Sequence, residues 1–179
     1  MVLMAFVGEL GAGKTLSLTY FAYLNHLKGV KVYSNYHLNF PYEPVRTLED
    51  IEDMREGFFA GDELWLWMDS RASQNKKNRV ISSILLKSRK RGIQIAYTTQ
   101  SFGQIDVRVR RITDFLAVPM LTPKEDWCRV LILSNPSMTK VRWLKFRTEG
   151  IFPLYDTSEE IEQIEDEHDR RAKEGKKKG

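Results

Sequence analysis

The stretch GELGAGKT, residues 8–15, decides the fold of this chain. It matches the pattern G-x-x-x-x-G-K-[ST], whose glycines let the backbone curl until successive N–H groups converge on phosphate oxygens. Lys14 would bring a positive charge to the β- and γ-phosphates, and the Thr15 hydroxyl would ligate Mg²⁺. A tight turn that binds nothing needs a glycine or two, but it has no use for Gly-Lys-Thr in register. The stretch therefore predicts a nucleotide site made by Gly8, Glu9, Leu10, Gly11, Ala12, Gly13, Lys14, Thr15 and Leu16.

The residues around this stretch alternate between short β-rich runs and helical patterns. Val2–Val7 is a continuous apolar run, typical of a strand buried on both faces, and a helical pattern follows it. Such alternation predicts an α/β fold with a central, mostly parallel sheet flanked by helices. The last two strands are predicted to pair as an antiparallel hairpin across SNPSMT. The expected strands are Val2–Val7, Val30–Asn35, one within Gly57–Trp67, one from Gly92, Phe115–Pro119, Cys128–Leu133 and Val141–Phe146, and the expected helices are Thr15–Lys28, Leu48–Arg55, Asn78–Lys90 and Ser158–Glu174.

Length and composition restrict the class of protein. The 179 residues suit one domain, and 42% hydrophobic with 29% charged residues excludes a disordered or fibrous chain. Together with the phosphate-binding pattern, this leads us to expect a P-loop ATPase domain over residues 1–157 and a charged helical tail over residues 158–179. Cys128 is the single cysteine, which excludes an internal disulfide and a multi-cysteine metal site. No apolar run approaches the roughly 20 residues of a spanning helix, and the N-terminal run lacks the features of a signal peptide.

Charge is distributed unevenly along the chain. The net charge is +4, yet residues 69–111 contain eleven Lys and Arg against two Asp, a local balance of +9. A basic segment of this kind fits a polyanionic partner, either nucleic acid or bound phosphates, or else a solvated face. Charge alone leaves these interpretations open.

A phosphate cradle needs an acidic residue at the end of a neighbouring strand. GFFAGDE, residues 57–63, is an apolar run that ends in two acids. Asp62 would hold Mg²⁺ through water, and Glu63 would polarise the attacking water as the general base. Asp69, at the end of a second apolar run, competes for the same role, and either acid could instead cap a helix. The adjacent glutamate favours Asp62 and Glu63.

Two further features follow the acids along the chain. The predicted strand IQIAYTT is followed directly by Gln100, whose uncharged amide could contact the γ-phosphate or the attacking water. Basic residues flank that strand, with SRKR at 88–91 before it and Arg108, Arg110 and Arg111 after it. An arginine from a neighbouring subunit can stabilise charge on the γ-phosphate, although phosphate-backbone contact or simple solvation explains any single arginine equally well.

In combination, these segments resemble a known family. GELGAGKTLS, VYSNYHL, GDELWLWMDSR, ILLKSRKRGIQIAYTTQ and IDVRVRRITD are similar to the zonula occludens toxin type of P-loop ATPase, within the FtsK–HerA superfamily that also relates to viral genome-packaging ATPases. The resemblance covers about residues 1–157. It implies a RecA/ASCE-like P-loop NTPase fold and hydrolysis of ATP with Mg²⁺.

The resemblance also assigns roles by position. It makes Lys14, Glu63 and Gln100 catalytic, Thr15 and Asp62 the metal-side residues, and Arg89 the arginine that acts in trans. It implies a pentameric or hexameric ring that moves double-stranded DNA, with a capsid or portal protein as a further partner, in the cytoplasm of a host cell.

This sequence departs from the family pattern at two points. The filamentous-phage members carry a membrane segment and a further domain, which these 179 residues do not include, so we expect a packaging motor and not an export role. The alternatives are a virion-assembly ATPase that works with a membrane partner, a small-molecule P-loop kinase and a nucleotide-gated module without turnover. Gly61 replaces the usual bulky apolar residue before Asp62.

Overall fold

Eight strands form one sheet in the computed structural model, which describes residues 2–64, 66, 83 and 92–156. The strands are β1 (Leu3–Val7), β2 (Val32–Ser34), β3 (Glu43–Pro44), β4 (Gly57–Gly61), β5 (Ile93–Thr99), β6 (Phe115–Leu121), β7 (Trp127–Ser134) and β8 (Lys140–Arg147). Their order is β3-β2-β4-β5-β1-β6-β7-β8, parallel from β3 to β6 and antiparallel for the last two pairings. The described helices are α1 (Lys14–Leu27), α2 (Leu48–Asp53) and α3 (Val107–Ile112).

The strands β1 and β4 are apolar along their whole length because both faces of the sheet are covered there. Every residue of β4 is buried, and in β1 the side chains of Ala5 and Phe6 are fully buried on opposite faces. Phe6 packs with the cluster beneath α1, whereas Ala5 belongs to the cluster that includes residues of α2 and α3. Burial on both faces explains why these strands read as continuous apolar runs and not as alternating ones.

Side-chain caps define where the two short helices, α2 and α3, begin. At α2, Thr47 accepts a hydrogen bond from the Asp50 amide at 3.1 Å, while Asp50 accepts from the Thr47 amide at 2.8 Å, a complete capping box. At α3, the Asp106 side chain caps the helix by accepting from the Arg108 amide. The sequence pattern did not predict α3, because six residues with three arginines have too little apolar periodicity to indicate a helix.

The predicted fold class is confirmed, including the antiparallel hairpin of β7 and β8. The strand expected within Gly57–Trp67 is β4, which ends at Gly61, and residues 36–45, where no strand was expected, contain the two-residue edge strand β3. The predicted helix Asn78–Lys90, except for Ser83, and the tail at residues 158–179 lie outside the described residues. Within the described part of the chain, no helix is long and apolar enough to cross a membrane.

Gly57, at the start of β4, is the glycine of the sheet whose substitution should cost the most stability. Its φ is +156°, and a Cβ there would approach the Lys31 carbonyl oxygen at 2.5 Å. We expect Gly57→Ala to lower the free energy of unfolding by about 2 kcal/mol or more, because backbone must shift. Gly150→Ala is the control, since nothing lies within 4 Å of a Cβ at that position. Equal urea midpoints for the two variants would contradict this prediction.

Candidate nucleotide-binding site

The loop between β1 and α1 leaves the first turn of α1 open. Gly11 and Gly13 have φ of +77° and +90°, conformations that glycine adopts without steric cost. Gly13 is the N-cap of α1, and no side chain caps the helix there. The first amides of a helix have no partner within it, so their N–H groups and the helix dipole favour an anion at this end. A Cβ on Gly13 would also approach Leu121 Cγ of β6 at 3.1 Å.

Lys14 lies folded over this loop. Its Nζ donates to the Glu9 carbonyl oxygen at 2.8 Å, and the residue is only 8% exposed. Burial lowers the pKa of Lys14, while the nearby carboxylates of Asp62 and Glu63 oppose that shift. A phosphate group beside Nζ would favour the charged ammonium, which suits Lys14 to bind phosphate in this position.

Thr15 and Asp62 meet at the carboxyl edge of the sheet. The Thr15 hydroxyl lies 3.1 Å from Asp62 Oδ1 and 3.0 Å from Oδ2, and Thr98 Oγ1 donates to Oδ1 at 2.6 Å. Asn35 holds the backbone of Asp62, since its Oδ1 accepts from the Asp62 amide at 2.7 Å and its Nδ2 donates to the Asp62 carbonyl at 2.8 Å. Four elements therefore fix the Asp62 carboxylate beside the first turn of α1.

Burial dominates the electrostatics of Asp62. The residue is 7% exposed, and burial raises the pKa of its carboxyl group, with the hydrogen bonds from Thr98 and Thr15 partly opposing this. A hydroxyl oxygen and a carboxylate next to a phosphate cradle are ligands that suit Mg²⁺, which keeps several waters and takes few protein oxygens. The donor set of Thr15 and Asp62 therefore fits the implied metal ion.

Glu63 follows Asp62 in an unusual backbone conformation. Its φ is +44°, in the left-handed region that residues with a Cβ rarely adopt. Its amide donates to Thr98 Oγ1 at 2.7 Å, so the same threonine that contacts the Asp62 carboxylate also holds the Glu63 backbone. Strain of this kind persists where surrounding contacts impose it, and it is frequent at functional sites.

Gln100 lies directly after β5, one residue beyond Thr99. Thr99 is in register with Val7, the last residue of β1, so Gln100 and Gly8 follow adjacent strand ends. Gln100 is exposed at this edge.

Arg89 and Asp69 lie outside the described residues. The structure therefore tests neither Arg89 as the trans arginine nor Asp69 as the alternative to Asp62. Arg108 is engaged by Asp106, with Nε 3.0 Å from Oδ1.

Two residues of this site were missed by the sequence analysis, Asn35 and Thr98. Both are uncharged. Asn35 holds the backbone of Asp62, and Thr98 contacts the Asp62 carboxylate and the Glu63 amide. Their positions gave a signal, because each lies at or beside the carboxyl end of a predicted strand, where the parallel arrangement brings residues to one edge. Nothing in the residue types alone distinguished them from ordinary turn and strand residues.

The strand order and the loop at the N-terminus of α1 define a P-loop NTPase fold with a RecA-like, mostly parallel sheet. Two solved structures share it. The N-terminal domain of zonular occludens toxin from Neisseria meningitidis matches with a TM-score of 0.57 and 17% identity, over 87% of this chain and 100% of that domain. The genome packaging NTPase B204 of Sulfolobus turreted icosahedral virus 2, in complex with AMPPCP, matches with a TM-score of 0.50 and 11% identity, over 78% of this chain and 95% of that one.

Sequence similarity extends to one viral protein. The chain is 26% identical over 132 residues to the uncharacterized protein ORF2 of Spiroplasma virus SpV1-R8A2 B. The match covers 68% of this chain and 39% of the length of that protein. No protein-family model matches the chain.

The buried Asp62 carboxylate makes stability depend on pH. Because its folded-state pKa is raised above the ordinary 3.8, Asp62 favours the folded state below that value, and this contribution is lost as pH rises through the raised pKa. We expect Asp62→Asn to raise the urea midpoint relative to wild type near neutral pH, and the gain to shrink as the pH falls through the raised pKa towards 3.8. A gain that is constant across this range would show that the carboxylate carries no desolvation cost.

The left-handed backbone at Glu63 predicts a second stability effect. Both Glu63→Gly and Glu63→Ala remove the side chain, but only glycine adopts φ +44° without strain. We expect the Gly variant to be more stable than the Ala variant by about 1 kcal/mol in urea unfolding. The same two substitutions at the exposed Glu56, whose φ is not positive, should rank in the opposite order. An identical ranking at both positions would contradict the prediction.

Proposed function

We propose that this chain is an ATP-hydrolysing motor that moves double-stranded DNA, acting as an oligomeric ring in viral genome packaging. The observation that carries the proposal is the contact of Thr15 with the buried Asp62 beside an open P-loop, with Glu63 next in the chain. The viral origin of the relative and of the packaging NTPase supports a viral role. The host cytoplasm is the corresponding place of action, and a capsid or portal protein the corresponding partner.

The proposed division of labour among the residues follows from where their atoms lie. The amides at the start of α1 bind phosphate oxygens, and Lys14 exchanges the Glu9 carbonyl for the β- and γ-phosphates. Thr15 and Asp62 would hold Mg²⁺. When bound, the metal ion neutralises charge on the β- and γ-phosphate oxygens.

Glu63 and Gln100 complete the proposed reaction. Glu63 accepts the proton of the attacking water, and its strained backbone is held by Thr98. Gln100, at the end of the strand between β1 and β4, contacts the γ-phosphate or the water and responds to its loss. Arg89 of a neighbouring subunit is the proposed trans arginine, which makes turnover depend on assembly.

The test is ATP turnover with Mg²⁺, measured with and without double-stranded DNA over a range of protein concentrations. We expect turnover to rise with DNA and with protein concentration, and to cease on chelation of Mg²⁺. Glu63→Gln should lower turnover by about 100-fold or more while ATP still binds, because only the general base is lost. Glu56→Gln, which makes the same change at an exposed position, is the matched control.

Two results would contradict the proposal in different ways. A Glu63→Gln variant that still hydrolyses ATP would show that Glu63 is not the general base. Turnover that responds neither to DNA nor to protein concentration would favour a small-molecule kinase or a nucleotide-gated module over a ring motor.

A further inference from the structure

The hairpin of β7 and β8 presents a face that the nucleotide site does not use. Along β7, Trp127 and Arg129 alternate with the fully buried Cys128 and Val130, so they point away from the core beneath α1. Along β8, the buried Phe146 is flanked in the same way by exposed basic residues. We call this surface the basic face, and it consists of Trp127, Arg129, Trp143, Lys145 and Arg147.

The charge on the two strands has one sign. β7 and β8 together contain five Lys and Arg and no Asp or Glu. Arg129 lies directly opposite Lys145 in the antiparallel register, and like charges in that position destabilise a sheet. The nearest carboxylates along the chain lie in the connections, where Asp126 accepts from Thr122 at 2.6 Å. Within the described part of the chain, no ion pair offsets the charges of the basic face.

The cations of the basic face are held in place by an aromatic ring. Lys145 Nζ lies 4.0 Å from the centroid of the Trp127 ring, and Arg147 Cζ lies 5.2 Å from it. Cations positioned in this way lose less conformational freedom when they meet an anion. Because two cations already cover the Trp127 ring, this part of the surface offers positive charge and not an open ring on which a base could stack.

The basic face reaches the edge of the sheet that carries the nucleotide site. Arg147 ends β8 opposite Trp127, the first residue of β7, and this end of the hairpin adjoins the end of β6. Leu121 at the end of β6 is the residue that a Cβ on Gly13 would contact at 3.1 Å. The Arg147 end of the basic face therefore lies at the same edge of the sheet as the P-loop, on the opposite face from α1.

We propose that the basic face binds the phosphate backbone of double-stranded DNA, an inference that rests on the proposed motor function and assigns its DNA contact. A row of cations with no acid in either strand fits a polyanion, and contacts to phosphate alone suit a motor that must act on any sequence. The covered Trp127 ring favours duplex over single-stranded DNA, because single-strand binding relies on open stacking platforms. Trp143, which is 46% exposed, is the residue that a single strand would use instead.

The test compares two double variants of the full chain. Lys145→Gln with Arg147→Gln removes two charges from the basic face. Lys28→Gln with Arg46→Gln removes two charges from exposed positions elsewhere, so the net charge of both variants is the same. Affinity for a fluorescent duplex and for the corresponding single strand is measured by anisotropy over a salt series, with thermal midpoints as the check on folding.

We expect the basic-face variant to bind duplex roughly 10- to 100-fold more weakly near 0.1 M salt, and its slope of log affinity against log salt to fall by about 2. The control variant should keep the wild-type slope. DNA stimulation of ATP turnover should be lost in the basic-face variant and retained in the control.

Several outcomes would overturn the assignment. If wild type binds duplex and both variants bind it equally well, the basic face is not the contact, although the motor function stands. If wild type binds no DNA, the motor function fails as well. If wild type prefers single-stranded DNA and Trp143→Ala abolishes that preference, the surface binds single strands and not duplex. A change of sedimentation coefficient in the basic-face variant with unchanged duplex affinity would make this surface a contact between copies of the chain.

Discussion

The site depends on one buried carboxylate. Asp62 is inserted between α1 and β5 with the Thr15 and Thr98 hydroxyls against its carboxylate, and its desolvation is costly unless a cation joins it. The contacts that keep it there come from Thr15 and Thr98 through the side chain and from Asn35 through the backbone. The position of Asp62 therefore depends on how β2, β4, β5 and α1 are placed relative to one another. A shift of any of these elements would break one of its contacts.

Strand order explains why these residues leave room for a ligand. β5 lies between β1 and β4, so the P-loop and the two acids follow strands that are two spacings, or roughly 10 Å, apart. The end of β5 lies between them and brings Thr98 to the acids and Gln100 to the open edge.

Much of this arrangement could be predicted from the sequence, because it is encoded locally. The glycine pattern fixes the loop, and the apolar runs before Gly8 and Asp62 require strands buried on both faces, with their polar residues at one edge. The order of strands across the sheet and the roles of Asn35 and Thr98 are not local properties, since they depend on which strands become neighbours. Helix α3 was missed for a related reason, as its stability comes from the Asp106 cap and from buried Val109 and not from a periodic pattern.

The antiparallel extension gives the sheet two parts with different chemistry. The parallel part is apolar and ends in the groups that suit a nucleotide, whereas β7 and β8 add a strip of basic residues with no acid between them. The two parts are joined where Leu121 lies against the glycine that begins α1. A Cβ at Gly13 would press on Leu121, so the loop conformation and the position of the β6–β7 connection constrain each other. Under the proposed motor function, the contact between Leu121 and Gly13 is the point at which movement of the hairpin would reach the P-loop.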